Sequence, residues 1–264
     1  MIERVTRHFG RLVFDRDAIV RAALRAFVER RLHGISRFGY PACNGAMWEG
    51  DLQRGAILHT DGEGNDEVVA WTEAGVVGLA CESGWGPIQQ FDLSVDAVTG
   101  GPEDVRAAVP GLPAEIEPTF VLAVSILEVG PEHGEKLAGV GFWLLGDRVG
   151  GTLFDDPSPH GAVRLAAWGL LHDGRLLPLS CESYRPRPGW IVTYHDRPED
   201  APAHAVIDAV VDRRLKGPTE FTPAELETLL RPTPKPDHVL AVQRRLQKVG
   251  ITWPGSPEIP EEPT

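Results

Sequence analysis

Three short apolar segments separated by two short polar connections are the feature that most constrains the fold. The segments are 56–60 (AILHT), 67–72 (EVVAWT) and 76–81 (VVGLAC), and the connections read DGEGND and EAG. Apolar runs of this length bounded by Gly, Asp and Asn are typical of β-strands, and connections this short join antiparallel neighbours. The sequence therefore predicts an antiparallel β-meander, and we expect Gly75 to adopt a left-handed conformation in a three-residue hairpin loop.

A helix is expected ahead of the meander, over residues 14–34, with Gly34 as its stop signal. Its apolar residues recur at the spacing of one helical face: Val20, Leu24, Phe27, Val28 and Leu32. The arginines of this segment should lie mostly off that stripe: Arg16, Arg21, Arg25, Arg30 and Arg31. Residues 35–55 are rich in turn formers and are predicted to be irregular.

Beyond the meander the pattern is mixed and then helical. Residues 113–130 predict a helix with Pro118 near its first turn, and residues 137–156 read as a glycine-rich hairpin that bends at Gly146. From residue 201 onward the periodicity is helical, with Thr222 placed as an N-cap.

This order of elements predicts the α+β class: an N-terminal helix, an antiparallel meander, a further hairpin and helices, and an all-helical C-terminal part. The expected organisation has three segments. They are an α+β domain over 1–200, a helical subdomain over 201–253 packed on it, and a disordered tail over 254–264.

The charge of the chain is acidic and unevenly distributed. Twenty-six basic residues face 38 acidic ones, for a net charge of −12, which argues against binding to nucleic acid. Residues 1–37 hold nine arginines and four acids, whereas the remainder holds 17 basic and 34 acidic residues. Either the basic N-terminal helix docks on an acidic body, or an acidic surface binds a partner with a basic surface.

The cysteines indicate a reducing compartment. The chain has only three, too few for a disulfide framework, and no signal peptide is recognised at its N-terminus. No apolar run is long enough to span a bilayer, so we expect a cytoplasmic protein that does not bind membranes. Cys81 and Cys181 lie in matching contexts, LACES and LSCES. Both are interpreted as strand ends that place Glu82 and Glu182 at the edge of a sheet.

Motifs that would identify an enzyme or a cofactor are missing from the sequence. It has no C-x-x-C, H-E-x-x-H or G-x-S-x-G motif, no phosphate-binding loop and no complete dinucleotide fingerprint. We therefore expect no cofactor and no metal. Asp61, Glu63, Asn65 and Asp66 alternate as calcium ligands do, but Asp66 occupies the position that needs a glycine and Thr72 the position that needs a glutamate. A solvated hairpin loop is the better interpretation.

The stretch GAILHTDGEGNDEVVAWTEAGVVGLACESGWGP resembles the core of SMI1/KNR4-type (SUKH) proteins, within about residues 35–100. The resemblance implies an α+β fold in which a helix precedes a mainly antiparallel sheet. It also implies an immunity protein that binds and neutralises a toxin, often a basic nuclease. The candidate binding residues are Asp61, Glu63, Asn65, Asp66, Glu82, Trp85 and Glu182.

Two other functions stay open from the sequence. One is an enzyme whose site combines His59 and Asp61 or Asp66 with the thiol of Cys43 or Cys81, because a thiol nucleophile needs a neighbouring base. The other is a self-assembling structural protein. The favoured interpretation is a cytoplasmic, non-enzymatic binding protein without an assigned catalytic residue.

Overall fold

Two compact units make up the fold in this computed structural model, which describes residues 16–37, 45–60, 66–81, 105–127, 138–152 and 198–257. The first unit is formed by Met1–Ala23 and Cys43–Gly189, and the second by Leu24–Ala42 and Trp190–Thr264. The division falls within the first helix, α1 (Arg16–Leu32). The class is α+β, as the sequence predicts.

A six-stranded sheet forms the centre of the first unit. Its strands are β1 (Gly45–Gly50), β2 (Gly55–Thr60), β3 (Asp66–Trp71), β4 (Val76–Cys81), β5 (Ala138–Leu145) and β6 (Arg148–Gly150). They lie in sequence order and every neighbouring pair is antiparallel. The predicted meander is confirmed, and so is the hairpin that bends at Gly146, where φ is +60°.

Strand β1 corrects the expectation that residues 35–55 are irregular. Gly45–Gly50 pairs with β2 along its whole length, from Gly45 opposite Thr60 to Gly50 opposite Gly55. The segment GAMWEG has glycines at both ends and a low intrinsic strand preference, so pairing with β2 determines its conformation.

Both faces of the sheet are buried along β2 to β5, whereas Met47 and Glu49 of β1 are exposed. On one face, residues of β2 to β5 pack against 105–109 and the helix α2 (Glu117–Ile126), which follows a 3₁₀ turn at Ala114–Ile116. This cluster includes Leu58, Val77, Phe120 and Trp143. The alternate positions Ile57, Val69, Trp71 and Phe142 are buried as well. Burial of both faces explains why the strands read as nearly continuous apolar runs.

Gly75 is required for a different reason from the one expected. It is absent from the residues with positive φ, so the prediction of a left-handed conformation is wrong. A Cβ atom at this position would lie 2.0 Å from the carbonyl oxygen of Leu144 and 2.9 Å from Cγ2 of Ile116. The turn between β3 and β4 therefore needs glycine because β5 and the 3₁₀ turn approach its backbone closely.

Helix α1 is buried on more sides than its apolar stripe indicates. The predicted stripe is buried, but so are Ala22, Arg25, Ala26 and Glu29. Arg25, which was expected to lie off the stripe, is therefore buried as well. Its guanidinium donates from Nη1 to Oε2 of Glu29 at 2.6 Å and from Nε to Oδ1 of Asp208 at 2.8 Å. A charge that is withdrawn from water needs such partners.

Three helices of the second unit follow the C-terminal prediction: α3 (Ala201–Arg214), α4 (Pro223–Leu229) and α5 (Pro236–Lys248). Thr222 caps α4 in a full capping box, in which its hydroxyl accepts from the amide of Glu225 and the carboxylate of Glu225 accepts from the amide of Thr222. A parallel pair of two-residue strands, β7 (Thr219–Glu220) and β8 (Ile251–Thr252), accompanies the helices.

Several predictions lie outside the described residues. They are a helix that the sequence pattern predicts at 158–174, a strand that it predicts at 91–95, and the context of Cys181 and Glu182. The strand end predicted at Cys81 is confirmed, since β4 ends there.

Candidate functional site

Five strand ends lie side by side at one end of the sheet, which we call the open end. They are Gly45, Thr60, Asp66, Cys81 and Ala138. The register pairs Gly45 with Thr60, Thr60 with Asp66, Asp66 with Cys81, and Cys81 with Ala138. Neighbouring strands in a sheet are about 4.8 Å apart, so these ends form one continuous row.

The predicted binding residues are attached to this row. Asp61, Glu63 and Asn65 belong to the connection between Thr60 and Asp66, and Glu82 follows Cys81 directly. Only β3 separates the strands from which positions 61 and 82 continue, so these strand ends lie about 10 Å apart. Asp61, Glu63, Asn65, Glu82, Trp85 and Glu182 themselves lie outside the described residues, and their role stays a prediction.

The positions considered for thiol catalysis are brought together only in part. Asp66 and Cys81 are cross-strand partners in the backbone register. His59 is paired with Glu67 instead, one residue further from the open end. Cys43 lies outside the described residues. The register thus places an acidic position next to a cysteine, without a histidine at the same level.

Negative charge is concentrated in the part of the chain that contains the sheet. Residues 45–152 hold 18 acidic and four basic residues, a net charge of −14, which exceeds that of the whole chain. The described carboxylates Glu49, Asp51, Glu73, Glu115 and Asp147 are exposed. An excess of carboxylates over cations produces a negative surface potential. Such a potential attracts basic molecules and accelerates their association.

One of the four basic residues is already neutralised by an ion pair. Arg106 forms a two-bond pair with Glu117, in which Nη1 donates to Oε2 at 2.9 Å and Nη2 donates to Oε1. The hydrogen bond from Arg106 is the main cause that lowers the pKa of Glu117; desolvation opposes it and charge attraction adds to it. The guanidinium also lies 4.5 Å from the ring centroid of Phe120. Arg106 therefore anchors α2 and does not offset the surrounding acidic charge.

At the opposite end of the sheet, Arg16 ties two turns together. Its Nε donates to the carbonyl of Thr72 at 2.7 Å, and its Nη2 donates to the carbonyls of Leu52 at 3.2 Å and Gln53 at 2.8 Å. The indole of Trp71 donates to the carbonyl of Asp51 at 2.9 Å. Sequence reasoning missed this arrangement because backbone acceptors leave no signature in a sequence. These hydrogen bonds hold the turns at this end of the sheet in place. The open end is therefore the candidate site.

Several tryptophans belong to the first unit, and the described ones are buried or half-buried. Trp71 and Trp143 are buried, and Trp48 is half-buried with its ring centroid 5.0 Å from that of Trp71. Trp85 and Trp168 lie outside the described residues.

In the described ranges, no group of three or more His, Cys, Asp or Glu side chains is placed to hold a metal ion. None of the described helices combines the length and the apolar character that crossing a membrane requires. Comparison with protein-family models, curated proteins and solved structures finds no match to this chain.

Proposed function

We propose that this chain is a non-enzymatic binding protein that acts in the cytoplasm and neutralises a basic protein toxin, as an immunity protein does. The observation that carries the proposal is the net charge of −14 over residues 45–152. Such a surface attracts a basic protein and repels the phosphates of nucleic acid.

The open end of the sheet is the proposed contact surface. Thr60, at the end of β2, is followed by the connection that contains Asp61, Glu63 and Asn65. Cys81, at the end of β4, is followed by the segment that begins with Glu82, and only β3 lies between these two strands. Binding residues are commonly found on loops that a rigid scaffold positions. The resemblance to SMI1/KNR4-type proteins supports the same assignment, because many proteins of that type are immunity proteins that bind toxins, often basic nucleases.

The test first identifies the partner and then measures its affinity for this chain. The tagged chain is used to isolate a partner from the producing strain, and the affinity of the purified complex is measured by calorimetry at two salt concentrations. We expect a basic protein whose toxicity is suppressed by co-expression of this chain, with an affinity that falls steeply with salt.

Matched charge variants locate the surface. The variant D61N/E63Q/E82Q removes three carboxylates at the open end, and E49Q/E115Q/D147N removes three exposed carboxylates elsewhere in the same unit. We expect the first variant to weaken binding at least about tenfold, because a charged pair at the centre of an interface contributes more than one at its rim. The second should change affinity only slightly. Equal losses in both variants would argue against the open end, and a partner that is not basic would argue against the proposal itself.

A further inference from the structure

One face of helix α5 carries three exposed cations in its last two turns. They are Arg244, Arg245 and Lys248. At 3.6 residues per turn these positions fall within an arc of about 100°. Val242, Gln243 and Leu246 are buried on the opposite side. The three cations therefore point away from the packed side of the helix and form what we call the basic face.

None of the three side chains of the basic face has a partner among the residues that the structure describes. Arg25, Arg106 and Arg213 each form an ion pair with a carboxylate. The side chains of Arg244, Arg245 and Lys248 form neither an ion pair nor a hydrogen bond within the described ranges. The carbonyl end of the helix dipole favours cations in a last turn, which stabilises Arg245 and Lys248 there.

The chain returns to this helix after β8 and is fixed beside the basic face. A turn follows, in which the amide of Trp253 donates to the hydroxyl of Ser256 at 3.0 Å and the amide of Ser256 donates to the carbonyl of Trp253 at 2.9 Å. Nε2 of Gln247 then donates to the carbonyl of Pro257 at 2.6 Å. Gln247 is adjacent in the helix to Lys248 and one turn from Arg244, so the described chain ends next to these cations.

The seven residues that follow Pro257 have the complementary charge. They read EIPEEPT and contain Glu258, Glu261 and Glu262 but no basic residue. We propose that residues 258–264 dock on the basic face, so that the three glutamates neutralise Arg244, Arg245 and Lys248. The surface would then be occupied by residues 258–264 of the same chain.

Length and local concentration both favour docking within one chain. Five residues reach up to about 17 Å when extended, whereas Arg244 and Lys248 are separated by about 6 Å along the helix axis. A segment tethered by a short linker is present at an effective concentration on the order of millimolar. Pro257, Pro260 and Pro263 also restrict the undocked chain, which reduces the entropy lost on docking.

The consequence concerns association between copies. Without the segment, each chain would expose a basic face on one unit while the other unit carries the acidic surface over 45–152. Contacts between the two unlike surfaces are heterologous and can extend from copy to copy. Docking of residues 258–264 covers the basic face and so prevents that contact. The inference rests on the second unit and does not depend on the proposed function.

The test uses the full chain and amide chemical shifts measured by NMR. The variant E258Q/E261Q/E262Q should move the amide signals of Arg244, Arg245 and Lys248 to the positions that the wild-type chain shows in 1 M salt, where screening is nearly complete. The control E199Q/E220Q/E227Q removes three exposed carboxylates from the same unit and should leave those signals unchanged. The converse variant R244Q/R245Q/K248Q should move the signals of Glu258, Glu261 and Glu262.

Two results would overturn the inference. One is that the tail variant moves the signals of the basic face no more than the control does. The other is that the effect depends on protein concentration, which would identify the occupant as a second copy of the chain.

Discussion

The ring of Phe142 in β5 lies directly over Gly78, its register partner in β4. A Cβ atom added to Gly78 would lie 2.2 Å from Cε1 of Phe142, which is far inside the contact distance of two carbon atoms. Trp143 and its partner Gly150 repeat the arrangement, with a Cβ atom 2.4 Å from Cζ2 of the indole. In both pairs an aromatic ring covers the space that a side chain would occupy on the neighbouring strand.

Replacement of Gly78 by alanine should therefore destabilise the sheet. The added methyl group displaces a buried ring in a close-packed core, and such overpacking costs about 1–3 kcal/mol of unfolding free energy. Guanidinium denaturation followed by tryptophan fluorescence measures the loss. Gly34→Ala is the control, because a Cβ atom there meets no heavy atom within 4 Å. Equal stability of the G78A and G34A variants would contradict the packing of Phe142 on Gly78.

The hydroxyls of Thr72 and Thr119 connect the turn between β3 and β4 to helix α2. Their oxygen atoms are 2.7 Å apart and both residues are buried. Thr119→Val should lower the unfolding free energy by about 1–3 kcal/mol, because the buried hydroxyl of Thr72 loses this partner. Thr119→Ser keeps the hydroxyl and should lose less.

A double-mutant cycle isolates this hydrogen bond. If the two hydroxyls interact, T72V/T119V should be more stable than the sum of the single losses implies, since the double variant leaves neither hydroxyl behind. Strict additivity would argue against the bond.

The pair formed by Arg25 and Glu29 should be the most sensitive charged site in the second unit. Glu29 is fully buried, and only 9% of the Arg25 side chain is exposed. Arg25→Met removes the ion pair from a buried carboxylate, which costs about 3–5 kcal/mol in comparable sites. The same substitution at exposed Arg244 should change stability by less than about 0.5 kcal/mol.

The double replacement R25M/E29M should restore much of the stability lost in R25M. Two apolar side chains of similar volume avoid the cost of desolvating charges. Equal stability of R25M and the wild-type chain in thermal unfolding would show that burial of Glu29 does not depend on its ion pair with Arg25.

Stability should fall at acidic pH through Glu117. Arg106 lowers the pKa of Glu117 from its ordinary value of 4.5 in the folded state, so the unfolded state binds the proton more readily. The contribution is therefore present above pH 4.5 and is lost as the pH falls through the lower folded-state pKa. The wild-type chain should lose its stability advantage over E117Q in that acidic range. Denaturation of both proteins across pH 3–6 measures this; a difference that does not vary with pH would contradict the pairing.

Much of the fold could be predicted from local patterns. The strands from 55 to 81, the bend at Gly146 and the cap at Thr222 follow from the spacing of apolar residues and from turn and cap chemistry within a few residues. The candidate site could be predicted only in part. The acidic loop is visible in the sequence, but the register that brings Asp66 next to Cys81 depends on how two strands pair.

Most of the strands and helices could be assigned from the sequence alone, because hydrophobic period, glycine, proline and capping residues act over short distances. Three features follow from contacts that form in the folded chain: GAMWEG becomes strand β1, Arg25 and Glu29 are buried, and Gly75 and Gly78 allow the close approach of neighbouring groups. Each of these depends on a neighbour distant in the chain, whose approach removes water or space, and no local pattern records which neighbour will arrive.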